Sequence, residues 1–599
     1  MPLLFFITIG EFMFGAEQKE TEKLICLYLE ENDIPVPETF SWNPVPFEGE
    51  WGISTSFFKT AALEARSGKR VNVPARAQEI ALELAAHVGD GENFSRAEAV
   101  RGYLNLYFDT GKFSRHVIEK VLARGKDFGK GDAKGQQLMV EFSQPNTHKA
   151  FHVGHLRSAI LGDVVCRILD FAGYDVVRAN YFGDIGLHVI KWLWNYMKYH
   201  AGEKPSTDIT RWMGDLYAES SRRLDENPSL EEEVRDLYVR WDKRDPEVVD
   251  LWKKTRQWSL DGFNDMYKTL DIRFDRLYTI SEVEERGKEI VRGLIEKGIA
   301  EDLRPENAVI VHIDDLLNLD KEKYRVLVVL RSDGTSLYAT ADLALAKMKF
   351  EEYELVKSIY VVDVRQTLHF QQVWKTLEIA GYKWAERCEH LAYELVNLPG
   401  NVVMASRGDA VVLLEDLIRE ATTRALEVVE EKNPSLSAEE KRDVAQMVGL
   451  GAIKYPMLAR DHAKTVTFDW ETALDFNGQA APYIQYAHVR ANSILRRARG
   501  LLPDPISPPH NLEPAEVELI ERISKLPSDV QRAAAERKTL YITNAAYELA
   551  RSFNHFYRQC PVLDAPPGVK DFRIVLVAAA RQTIANTLNL LGIEAPAVM

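Results

Sequence analysis

VEFSQPNTHKAFHVGHLRSAILGD, residues 140–163, is the stretch whose reading decides the fold. It opens within a short apolar run, LMVEF (138–142), with the length and composition of a buried strand. Turn residues follow, then HLRSAILGDVVCRILDFAG (155–173), apolar at helical spacing, with Gly173 placed as a C-cap. The next run, YDVVRANYF (174–182), is again a strand. Strand, loop, helix and strand in that order predict a parallel, doubly wound sheet with ligands at the carboxyl ends of its strands. VLVVL (326–330), SIYVVDV (358–364) and LAYELVNL (391–398) read as further short buried strands between helices. The 190–290 region, rich in Trp, Glu and Arg, reads as inserted helices.

Working outward, residues 17–33 predict an amphipathic helix with Leu24, Leu27 and Leu29 as its buried stripe. The turn-rich patch SWNPVPFEGEWG (41–52) comes next, then a helix over 74–88 with Pro74 in its first turn, then an alternating strand over 102–108. These make a small α+β unit, closed by the linker GKDFGKGDAKGQQ (125–137). From about residue 435 the pattern is helical, interrupted by PDPISPPHNLEP (503–514). The expected domains are therefore 1–130 (α+β), 131–434 (α/β with helical insertions) and 435–599 (all helical).

Bulk properties exclude several classes. With 599 residues the chain exceeds one compact core. A net charge of −15 argues against indiscriminate coating of nucleic acid, although a local basic surface suffices to hold phosphates. The four cysteines, Cys26, Cys166, Cys388 and Cys560, are far apart and form no CxxC pair, so neither a zinc knuckle nor a disulfide scaffold is indicated, and a reducing cytoplasm is the expected compartment. The opening MPLLFFITIGEFMFGA is too short to span a bilayer and is interrupted by Glu11. It lacks the layout of a signal peptide; a buried extension, or a true start at Met13, is expected. No membrane association is expected.

His152-Val153-Gly154-His155 falls between a strand end and a helix start. There the free backbone N–H groups and the helix dipole favour anions. Gly154 lets a nucleotide approach the backbone, and the imidazoles can donate hydrogen bonds to charge developing on a phosphate. Alternatively the pair binds zinc or is a pair of satisfied surface histidines, but zinc needs further ligands that are not evident nearby.

With these flanks the chain resembles the class I aminoacyl-tRNA synthetases, whose signature is His-Ile-Gly-His after the first strand. Glu141-Phe-Ser-Gln-Pro-Asn146 and Lys149-Ala-Phe-His152 narrow the resemblance to the arginyl-tRNA synthetase family. RSDGTSLYATADLALAKMKF (331–350), IYVVDVRQTLHFQQVW (359–374), FDWETALDFNGQAAPYIQYAHVRANSILRRA (468–498) and the ending GIEAPAVM extend it over nearly the whole chain. The resemblance implies a Rossmann-like catalytic domain, ATP and Mg²⁺ as cofactors, L-arginine and tRNA(Arg) as partners, and a monomer. It implies arginine contacts at Glu141, Asn146, His155, Tyr338, Asp342 and Gln366. A planar permanent cation suits carboxylates beside an aromatic wall, and Tyr338 and Asp342, four apart, share one face if their segment is helical. Taken alone, Asp342 also reads as an N-cap and Glu141 as a solvated strand residue. Gln144 departs from the small residue of the family pattern.

The family's mobile Lys-Met-Ser-Lys-type loop is degraded here to Val403-Met404-Ala405-Ser406-Arg407. By resemblance His152, Gly154, His155, Met404 and Ser406 bind ATP, while His152, His155, Lys149 and Arg407 carry the catalysis. Lys149 stands where some relatives have a lysine that replaces the missing loop cation. On the RNA side, Tyr483, Tyr486, Arg490 and Arg497 recur at helical spacing, aromatics for stacking beside arginines for phosphates. Their alternative role is helix packing. Phe47, Trp51 and Phe58 of the N-terminal unit are expected, by resemblance, to meet the elbow of the transfer RNA. Two rivals stay open on sequence grounds: a small-substrate nucleotidyltransferase and a tRNA-binding paralogue without activity.

Overall fold

A computed structural model describes residues 15–45, 51–68, 70–88, 94–151, 153–398, 402–403, 413–498, 502–505 and 507–599. The expectations for the first residues, for His152 and for Met404, Ser406 and Arg407 lie outside these.

In the N-terminal unit the helix Gly15–Glu31 forms as expected, but a different stripe is buried. Ile25 and Leu29 are fully buried and Thr21 nearly so, whereas Leu24 and Leu27 are 41% and 54% exposed. Residues four apart share a helix face; Leu27 and Leu29, two apart, cannot. The strand Tyr103–Phe108 is one of two inner members of a four-stranded antiparallel sheet, with Gly52–Ser56 on one side and Phe94–Val100 on the other. Sequence reading found only that inner strand, because its partners are shorter in apolar alternation and interrupted by polar residues.

The catalytic sheet has five parallel strands in the order Cys388–Tyr393, Leu355–Asp363, Gln137–Glu141, Asp175–Phe182, Arg276–Thr279. The run Val326–Leu330 is not among them. It pairs antiparallel with Val309–His312, which pairs with Glu301–Asp302, in a separate three-stranded sheet. Its alternating exposure, with Val326 and Val328 facing solvent, is that of a one-sided antiparallel sheet. The 391–398 run is split as well: Val396–Leu398 leaves the main sheet to pair with Val402–Val403 and Val466–Thr467. The inserted helices are Leu187–Tyr199, Ile209–Glu226, Glu231–Asp242 and Pro246–Thr269, packed around a Trp-rich core.

Helices Ala438–Leu458, Ala481–Ala498, Pro514–Glu536, Leu540–Gln559 and Pro567–Leu590 form the C-terminal part. One apolar cluster runs from the N-terminal unit through the helix Val153–Phe171 into these helices. That helix is therefore buried on most sides, which fixes its N-terminus rigidly at the carboxyl end of Gln137–Glu141. Among the described residues no helix is long and apolar enough to cross a membrane.

Candidate active site

The chain leaves the central strand at Glu141 and enters the helix at Val153 through a loop with three non-glycine residues at positive φ, Ser143 (78°), Gln144 (45°) and His148 (60°). Such strain persists only where the surroundings impose it. Here they do. The Ser143 amide donates to Ser158 Oγ at 3.0 Å, the Gln144 amide to Asn180 Oδ1 at 3.1 Å and the His148 amide to Ser259 Oγ at 2.9 Å. His148 is wholly buried, its ring bonded to Thr147 and Thr255 hydroxyls, and burial pushes its pKa well down. His188, close to Lys149, is pushed down to about 4, mainly by burial and then by the Lys149 charge. Both stay neutral imidazoles at physiological pH.

Two glycines allow the close approaches. A Cβ on Gly183 would lie 2.0 Å from Asn146 Oδ1, so Asn146 rests directly on that backbone, with which it also forms a bridge. A Cβ on Gly214 would lie 2.5 Å from Ala150 Cβ, so the helix Ile209–Glu226 presses on the loop. This brings Tyr217 under Lys149, whose Nζ sits 4.8 Å from the ring centroid. His155 occupies the first turn of the Val153–Phe171 helix, half-buried, with its ring 5.3 Å from the buried Phe151. Lys149 and His155 thus flank the same helix N-terminus. Gly154 is half-buried beside them.

Arg157, one turn on, is 1% exposed and ties this helix to the segment after the last strand. Its guanidinium donates to the carbonyls of Glu394, Leu395 (2.9 Å), His462 and Lys464 (2.9 Å). Burial pulls its pKa down to about 10. It fixes the small sheet that flanks the degraded loop relative to the His155 helix.

Of the arginine-contact candidates, the structure brings Glu141, Tyr338 and Asp342 around Tyr181. The alternative reading of Glu141 as a solvated strand residue is not met. Glu141 is 2% exposed, its Oε2 is 2.5 Å from the buried Lys349 Nζ, and its Oε1 accepts from Gln144 Nε2 at 3.0 Å. Gln144 thus holds Glu141 in place. Lys349 Nζ also lies 3.6 Å from the Tyr360 ring centroid. Asp342 is not an N-cap: the helix Tyr338–Glu352 begins a turn earlier, and His369 Nε2 donates to Asp342 Oδ2 at 2.6 Å. Tyr338, at the same helix start, is 68% exposed. Tyr181 links the set, since its hydroxyl pKa is pushed well up by burial and then by Asp342, Glu141, Asp184 and Tyr338. Gln366 is exposed just past the end of Leu355–Asp363, three residues before His369. Sequence reading missed Lys349, His369 and Tyr181, although the first two lie inside the quoted 331–350 and 359–374 blocks.

The buried Glu141–Lys349 pair has a measurable consequence. Glu141→Gln leaves an uncompensated buried ammonium and is expected to cost about 3–5 kcal/mol in a denaturant titration. Adding Lys349→Met is expected to return most of that stability, and an unimproved double variant would show that the ion pair is not the source.

On the C-terminal helices Arg490 lies between two rings, 4.8 Å from the centroid of Tyr486 and 4.8 Å from that of Tyr557, and its Nη1 donates to Asn554 Oδ1. Tyr557 is 43% exposed and Arg497 is exposed near the end of Ala481–Ala498. Tyr483 turns inward, 5.6 Å from Tyr547. Trp51, expected at the tRNA elbow, is instead core, 5% exposed and packed on Phe113. Phe58 is half-buried against Tyr103, and Phe47 lies outside the described residues.

Comparison with known proteins agrees with this layout. A family model described as tRNA synthetases class I (R), catalytic domain, matches residues 117–470, and one described as DALR anticodon binding domain matches residues 484–599. The arginine–tRNA ligase of Clostridium botulinum is 36% identical over 509 residues, covering 84% of this chain and 88% of its own. That of Halothermothrix orenii is 32% identical over 583 residues, covering 96% and 99%. The solved arginyl-tRNA synthetase of Thermus thermophilus superposes with a TM-score of 0.77 at 29% identity, over 97% of this chain and 100% of that one. The Plasmodium falciparum structure, at 19% identity and a TM-score of 0.74 over 99% and 100%, shares the fold.

Proposed function

Because the chain belongs to the arginyl-tRNA synthetases, a class I family, we propose that the residues gathered at the carboxyl end of Gln137–Glu141 carry both steps of arginine–tRNA ligation. Arginine's carboxylate attacks the α-phosphate of ATP, giving arginyl-adenylate and pyrophosphate; a terminal hydroxyl of tRNA(Arg) then attacks the adenylate's carbonyl carbon, forming the arginyl ester and releasing AMP. The observation that carries this reading is a helix N-terminus with His155 in its first turn and Lys149 in the loop before it, reached from the strand end that carries Glu141, which acts with Asp342 on Tyr181. The helix N-terminus suits phosphates, the carboxylates a guanidinium.

His152, Gly154, His155, Met404 and Ser406 take the nucleotide, and Lys149 and Arg407 the leaving pyrophosphate. Asp342 and Tyr338 address the guanidinium, with Asn146, Gln366 and His155 at the remaining polar ends of the amino acid. Glu141 acts from beneath, through its pair with Lys349. The ATP chemistry implies Mg²⁺, which would reach the site on the phosphates of the nucleotide. Tyr486, Arg490 and Arg497 take the anticodon stem and loop, with Tyr483 supporting the helix behind them. The protein is read as a cytoplasmic monomer, in line with four free cysteines.

Arginine-dependent ATP–pyrophosphate exchange, run with and without tRNA(Arg), tests the whole reading; no exchange under either condition overturns it. Within it, Asp342→Asn keeps size and removes charge. The loss of one charge-assisted hydrogen bond is expected to raise the KM for arginine about tenfold to a hundredfold while leaving that for ATP unchanged. Equal shifts in both would assign Asp342 a structural role. Arg490→Ala is expected to weaken tRNA binding about tenfold in a fluorescence titration, from one lost stacking and phosphate contact; unchanged affinity would place Arg490 in helix packing alone.

A further inference from the structure

A cavity of about 600 Å³ opens where the helix Val153–Phe171 ends and the chain turns into the strand Arg276–Thr279. At 1.5 Å per residue, Asp170 lies about 24 Å along the helix from Gly154. The lining carries five cations, Lys130, Arg167, Arg178, Lys268 and Arg273, against two carboxylates, Asp170 and Asp271. In a chain whose net charge is −15, such a local excess of positive charge goes against the average.

Not all of these cations are consumed by the fold. Arg167 is, through Asp163 at 2.6 Å and Asp271 at 2.8 Å. Arg178 differs: its side chain is only 7% exposed, and its one ion pair among the described residues is with Asp170, at 3.6 Å, longer than a hydrogen bond. Its guanidinium therefore keeps donors that an anion entering the cavity can use. Lys268 and Arg273 stand exposed on the rim with no ion pair among the described residues, and Lys130 reaches only Asp127, at 3.9 Å. Asn589 brings the last helix, Pro567–Leu590, to the same rim, so an occupant would touch the catalytic and C-terminal parts together.

We propose that this cavity is a second anion site, taking a phosphate group that accepts hydrogen bonds from Arg178 at the floor and ion-pairs with Lys268 and Arg273 at the rim. Two sources share that chemistry: a backbone phosphate of bound RNA, or a free phosphate compound. The cavity is within the size range of small-ligand sites.

The test uses the full chain and the exposed pair, Lys268→Ala with Arg273→Ala, which leaves the buried floor intact. Calorimetric titration of wild type with inorganic pyrophosphate is expected to show a second binding event that the double variant lacks. In the RNA arm, the slope of log affinity for tRNA against log salt is expected to fall by about 0.7–0.9 per lost phosphate contact. Loss of the pyrophosphate event alone assigns a free compound; a reduced slope alone assigns RNA backbone; both changes leave the site open to either source. Wild-type behaviour in both arms, in this variant and in Arg178→Gln, overturns the proposal. ATP–pyrophosphate exchange without tRNA, or at saturating tRNA where tRNA is required, is expected to stay at wild-type level, which separates this site from the nucleotide pocket.

Discussion

Lys149→Ala is expected to lower ATP–pyrophosphate exchange by about 10²–10³-fold, the scale of a lost transition-state electrostatic contact in a site shielded from water. The leaving pyrophosphate gathers negative charge, and the loop that supplies cations in relatives has Val403 where the first lysine is expected. Val403 sits in a two-residue strand paired with Asn397, so its backbone is placed beside the sheet that Arg157 holds. Lys149 is the cation beside the helix N-terminus, steadied over the Tyr217 ring at 4.8 Å by a contact weak enough to release it toward a phosphate. Two controls follow. The melting temperature should move little, because an exposed-type cation–π contact contributes only about 0.5–1 kcal/mol. Adding Val403→Lys should restore part of the exchange. A fully active Lys149→Ala protein would pass the role to Arg407.

Replacing His155 or His152 with Ala is expected to lower arginyl-adenylate formation by about 10²-fold or more, measured in single turnover. His155 lies in the first helical turn, where backbone N–H groups are already unpaired by the helix and the dipole favours charge on the phosphate. Its ring packs against Phe151, itself buried, so the imidazole is preset and pays little ordering entropy when the transition state forms. The discriminating feature is a fall in kcat with little change in the KM for ATP, since a donor to developing charge acts mainly in the transition state. Wild-type rates in both single variants would remove the nucleotide assignment.

Much of this was legible in contiguous sequence. The strand Gln137–Glu141, the loop and the helix to Phe171 follow from a short apolar run, turn residues and a helical period, each set by near neighbours along the chain. Errors arose where the deciding partner is remote. Val326–Leu330 has the composition of a buried parallel strand, but its pairing with Val309–His312 exposes alternate residues, and no local pattern announces which sheet a strand joins. The stripe of the first helix went wrong for a smaller reason: three leucines drew the eye, while Thr21 and Ile25 hold the period of four.

The sequence by itself determined the class of chemistry, because a histidine pair at a strand-to-helix junction with its flanking blocks depends only on residues adjacent in the chain. Tertiary structure alone decided what those side chains are free to do. Glu141 meets Lys349 across 208 positions, and Arg157 meets Lys464 across 307. Lys149 meets Tyr217 and Asp342 meets His369 only once helices from separate segments are packed against the sheet. Burial, charge pairing and strain are properties of neighbourhoods in space, and they made Glu141 a buried, paired carboxylate where its local sequence also allowed a solvated strand residue.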